Sequence, residues 1–169
     1  MESRMKNKLG GSCIYLGRRY PLFIQIDGDK KKPLIAFDGT EFLYTTASED
    51  EAAFMTALQS FYKRASRIII EDRLRIYQPQ IRIKYRSVKI NDRVKQWGSC
   101  SSDRHLTFHW RLSLYPFEAI DYVLVHELCH LKHMNHDRSF WRLVGRLYPE
   151  YKEGIALLQG RSPCGFLKD

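Results

Sequence analysis

Five residues, His126-Glu127-Leu128-Cys129-His130, constrain this chain more than any other stretch, because their spacing is useful only on an α-helix. At 3.6 residues per turn, positions four apart differ by about 40° around the axis and about 6 Å along it, so both imidazoles can lean onto one divalent ion. Glu127 is rotated about 100° from His126, beside such an ion rather than on it. A carboxylate there can take a proton from a bound water.

The flanking sequence supplies the helix. From Pro116 to His133, the apolar residues Ile120, Val123, Leu124, Leu128 and Leu131 recur at i, i+3, i+4 spacing, and Pro116 suits a first turn, where its missing N–H is not needed. Two histidines leave a catalytic zinc one protein ligand short, since such sites take three and keep a further position for water. His133 and His136 compete for that place. On a continuing helix His133 lies about 10 Å along the axis from His126, too far for both to reach one ion at bonds of about 2 Å. His136 follows Asn135, a residue that tolerates the left-handed conformation ending helices, so the chain can turn back beneath the metal; geometry favours His136. Asp137 then reads as the N-cap of another helix, with Phe140, Val144, Leu147 and Tyr148 facing inward and Pro149 ending it.

Together with Asn135-His136, Phe140-Trp141, Asp121-Tyr122-Val123 and Trp97-Gly98-Ser99-Cys100-Ser101, the pentapeptide resembles the YgjP-like metallopeptidases and, more distantly, the WLM and SprT-like zinc proteases. The motif-bearing part runs from Lys95 to Tyr151, with a divergent N-terminal half. The resemblance implies a zinc metalloendopeptidase acting on proteins or peptides, with zinc on His126, His130 and His136 and with Glu127 as the catalytic general base. The alternative is a zinc-containing scaffold or nucleic-acid-associated domain without turnover. Two positions depart from the family pattern: Gln96 stands where a basic residue commonly precedes the tryptophan, and His109 where asparagine is common before Trp110.

The fold class expected is α+β, a zincin-like single domain over residues 1–169. N-terminal antiparallel strands (1–47) come first, then a long backing helix (48–78) and a zinc-site region (79–169) with a small sheet, the metal-binding helix and a C-terminal helix. With 169 residues, 44% of them hydrophobic, the chain can bury one sizeable core. Short strands are expected at Cys13–Leu16, Tyr20–Ile26, Pro33–Phe37 and Glu41–Thr45, with turns between them. Ser48 and Glu51 form a capping box before a helix with Phe54, Leu58, Phe61, Ala65, Ile68 and Ile69 on its inner stripe, closed by Pro79. Ile81, Ile83 and Tyr85 alternate with Arg82, Lys84 and Arg86 as in a strand with one wet face. A strand pair is expected over Val94–Ser99 and His105–Leu112, the latter offering an edge to an extended peptide. His105 and His109 read as surface or packing histidines, with an oxyanion-stabilising role the sharper alternative. Asn135 and Asp137 are candidates for orienting a ligand.

Four cysteines without C-x-x-C spacing argue against a zinc ribbon or a disulfide framework. Met1 to Gly11 lacks the apolar run of a signal peptide, and no eighteen-residue apolar segment exists, so a cytoplasmic location and no membrane partner are expected. Residues 61–111 hold thirteen basic against four acidic side chains, and the +9 net charge originates there. That segment is a candidate nucleic-acid surface, although no aromatic interleaving or nucleic-acid motif accompanies it and an ordinary solvated face is the favoured reading.

Overall fold

The computed structural model describes residues 8–92 and 95–159. Four strands open it: β1 (Lys8–Tyr15), β2 (Arg18–Ile26), β3 (Leu34–Phe37) and β4 (Phe42–Thr46). Their order is β1-β2-β4-β3, and the sheet is mixed rather than antiparallel, because β4 returns between β2 and β3 and runs parallel to β2. The inner place goes to the strand with most to bury. Phe42 and Tyr44 are 0% and 2% exposed, whereas Leu34 on β3 is 45% exposed, which an edge tolerates. The turn after β1 places Leu16 and Gly17 at positive φ. A Cβ on Gly17 would meet Pro116 Cδ at 2.9 Å, and the Leu16 and Gly17 amides donate to the carbonyls of Ser113 and Leu114. The first hairpin is thereby fastened to the entry of the helix that carries His126 and His130.

Helix α1 spans Glu51–Tyr77, shorter than the expected 48–78. Its N-cap is Asp50, whose carboxylate accepts from the Ala52 and Ala53 amides, while the Ser48 carbonyl takes the Thr46 hydroxyl. A carboxylate at the positive end of the helix outcompetes the expected serine. The inner stripe also rotates: Ile68 is 62% exposed, and Tyr62, Ser66, Ile70 and Leu74 are buried instead. Phe54, Leu58 and Phe61 pack on the first sheet, whereas Ile69, Ile70, Leu74 and Tyr77 join the larger core around the helix that carries His126 and His130. One helix backs both clusters.

A 3-10 turn at Gln78–Gln80 follows. Residues 81–86 are not a strand, although Ile81 is buried and Arg82, Lys84 and Arg86 are exposed, as the alternation requires. Instead the Gln78 side-chain amide donates to the Ile81 and Ile83 carbonyls, so a side chain takes the place of a strand partner. The second sheet comprises β5 (Ser87–Asn91), β6 (Gly98–Cys100) and β7 (His105–His109) in the order β5-β7-β6. The expected strand at Val94–Ser99 is reduced to β6, and Val94 lies outside the described residues. Strand β7 is central, parallel to β5 and antiparallel to β6, so the expected edge belongs to β6. It ends at His109, which caps a 3-10 turn over Trp110–Leu114.

Helices α2 (Phe117–His130), α3 (Arg138–Leu147) and α4 (Tyr151–Leu158) complete the fold. The last was not anticipated, because Gly154 interrupts a short apolar pattern. Among the described residues no helix is long and apolar enough to cross a membrane.

Candidate metal centre

Helix α2 is nearly all core, with Ile120, Leu124, Val125, Leu128 and Cys129 fully buried. It ends at His130, one turn before the expected His133, because the Leu131, Lys132 and His133 amides fold back on the carbonyls of Leu128 and Cys129. That tightening gives His133 a different use. Its carbonyl lies 2.9 Å from His130 Nδ1, so Nδ1 carries the hydrogen and donates, leaving the Nε2 lone pair free.

His136 precedes the N-cap of α3. The Asp137 carboxylate accepts from the Phe140 amide at 2.9 Å, so Asp137 is the N-cap that starts the helix. His136 Nε2 lies 2.9 Å from His126 Nε2, and His130 Nε2 lies 3.2 Å from the same atom. The three residues form one potential metal-holding group. Phe140, fully buried, lies beneath all three rings with centroid separations of 4.9, 4.7 and 4.7 Å. Trp141 flanks His126 and His136 at 6.1 Å and leans on Tyr151 of α4.

Does a metal fit these residues? Zinc–nitrogen bonds of about 2.0–2.1 Å in a tetrahedron put donor atoms about 3.3 Å apart, close to the separations found. Burial, assisted by the neighbouring His130 and His136 rings, pushes His126 down to about 4, and burial also lowers His130. Three ring nitrogens drawn this close together are the arrangement a cation among them would stabilise. The donor set suits zinc or another imidazole-binding divalent ion.

Glu127 is 6% exposed, and burial pushes its carboxyl up to about 8; a divalent ion alongside would draw it back down. Strand β6 passes against it. A Cβ on Gly98 would lie 2.8 Å from Glu127 Cγ and 3.0 Å from Oε1, so only glycine permits this approach. In the sequence, the Trp97-Gly98-Ser99 motif carried that signal without its reason. Glu127 and His126 open onto a common cavity of about 420 Å³.

Other candidates fall outside. His105 is exposed and pairs with Ser87 Oγ at 2.7 Å. His109 is fully buried, and its Nδ1 accepts from the Arg111 amide at 3.0 Å. That is the capping bond an asparagine side chain makes, which gives the family departure at this position a physical reason. Neither histidine lines the cavity beside Glu127. Cys13 and Cys129 are buried free thiols, Cys100 is free on β6, and Cys164 lies outside the described residues. In the basic segment, Arg73 is committed to Asp121, which also accepts from Tyr77 at 2.8 Å, and Arg75 pairs with Asp72.

A family model described as YgjP-like, metallopeptidase domain, matches residues 1–160. Among solved structures, the metallopeptidase zymogen of Pyrococcus abyssi abylysin is similar at 27% identity and a TM-score of 0.43, covering 57% of this chain and 97% of that one. A search of curated proteins gave no match.

Proposed function

Because the chain belongs to the YgjP-like metallopeptidase family, and so to the metal-dependent peptidases, we propose that it is a zinc endopeptidase in which Glu127 is the general base. The observation that carries this reading is the convergence of the His126, His130 and His136 Nε2 atoms beside a buried carboxylate. A zinc ion held by those three residues supplies Lewis acidity, which brings the pKa of water toward neutrality and polarises the scissile carbonyl. Glu127 accepts the proton of the attacking water and hands it to the leaving amine nitrogen. The backbone of Gly98, packed on Glu127, limits where that carboxylate can swing. The His133 carbonyl holds the His130 ring in orientation. Strand β6, with its outer side at the sheet edge, receives an extended peptide by backbone hydrogen bonding.

The test joins metal analysis to turnover. Wild type should carry about one zinc per chain by atomic absorption and cleave casein or a diverse peptide mixture. Glu127→Gln should keep the zinc and the melting temperature while turnover falls about 10³-fold. Folded, zinc-loaded wild type that cleaves none of these substrates would favour the scaffold alternative.

A further inference from the structure

The cavity beside Glu127 has a wall that bond cleavage does not itself require. His126 and Glu127 line one part of it; the rest comes from Trp97 before β6, Tyr122 and Val123 one turn earlier on α2, and Ile155 and Leu158 of α4. Among the described residues, Gln96 and Gln159 are its remaining polar side chains, no lysine or arginine lines it, and its one acid is Glu127.

Helix α4 reaches this position through one residue. A Cβ on Gly154 would lie 2.3 Å from Tyr122 Cβ and 2.6 Å from the Glu118 carbonyl oxygen, so the two helices meet in backbone contact. Ile155 follows Gly154 directly, and Leu158 lies three residues further on, so both flank the metal-binding helix just before its first histidine. Ile155 is half-buried, leaving apolar surface for a visitor to cover.

We infer that this last turn of α4 is a specificity wall: the cavity receives the side chain adjoining the cleaved bond of a peptide lying along β6, and it selects large apolar or aromatic residues there. The inference rests on the peptidase reading and extends it to the substrate class. An apolar lining rewards buried hydrocarbon area. An acidic side chain would meet Glu127 at short range and lose its water, and a basic one would leave water for an apolar wall. Selection by such a wall amounts to roughly ten- to a hundredfold between a large apolar residue and a small or charged one.

The experiment uses the zinc-loaded full chain and a quenched fluorescent peptide set, varied one position at a time on each side of the cleaved bond, with products assigned by mass spectrometry. Wild type should favour Leu, Met or Phe over Gly and Asp at one adjoining position, in kcat/KM. Ile155→Trp fills the cavity and should shift that ratio toward small residues about tenfold; Ile155→Ala enlarges it and should favour the bulkiest aromatics. Zinc content should be unchanged in both. Should Ile155→Trp fail to fold, Ile155→Ala decides alone. A preference identical in wild type and variants would overturn the wall while leaving the peptidase reading intact. Zinc-loaded wild type that cleaves no peptide would overturn both.

Discussion

The two apolar clusters of this molecule are built to different rules. Around the first sheet, the cluster consists of Cys13, Leu22, Ile35, Phe42, Tyr44 and Ala57, with Phe37 and Phe61 making edge-on ring contacts to Phe42 or its neighbours. Around α2, the core admits Glu127, Asp121, His109 and Ser113, all 6% exposed or less. Burying a polar group costs free energy unless it is bonded; Asp121, His109 and Ser113 have such bonds, and of the four only Glu127 is placed for chemistry. Damage to the first should unfold the chain without touching the reaction. Damage to the second can stop the reaction without unfolding the chain.

The sharpest way to break that contrast is Phe42→Ala, which empties the centre of the smaller cluster and should cost about 4 kcal/mol in urea titration. Zinc affinity of the remaining folded fraction should be unaltered; a parallel loss of zinc would show the two regions to be one energetic unit. Next, Asp121→Asn breaks the pairing with Arg73 inside the larger core and should cost about 3 kcal/mol. Its kcat, measured where the variant is folded, should stay near wild type.

A smaller free-energy effect with a larger functional share is expected of Gly98→Ala. The added methyl displaces the Glu127 side chain, so turnover should fall about tenfold with a stability change under about 1 kcal/mol. Equal activity would mean the strand moves aside freely. A further contrast concerns acid. Burial, reinforced by Arg111, holds His109 down at about 4, below its unfolded value near 6.5. The unfolded chain therefore binds more protons between those values, and stability present above about pH 6.5 is lost as pH falls toward 4. His109→Asn keeps the bond to the Arg111 amide and removes the titration, so stability should fall less over that window, by about 2 kcal/mol. Identical pH curves for variant and wild type would place the acid sensitivity elsewhere.

How much of this was legible in the sequence depended on how local the cause was. The donor spacing of His126 and His130, the N-cap at Asp137 and the turn-back to His136 follow from helix geometry over a dozen residues, and the structure brings these three histidines together. The burial rhythm of residues 81–86 was equally readable, but alternation says which side is wet and not whether a partner strand exists. The parallel β2–β4 pairing is a choice among partners with similar patterns, which spacing does not encode. Gly98 and Gly154 look like breakers in sequence; in the structure each marks a place where another segment comes too close for a side chain.

One ring beneath three others has a practical consequence. Since Phe140 packs against each of the three histidine rings, packing can hold them in register before any ion arrives. Protein stripped by a chelator should therefore keep its shape and refill on simple mixing, with no refolding step, so that a single preparation can be charged in turn with zinc, cobalt or manganese and compared ion by ion.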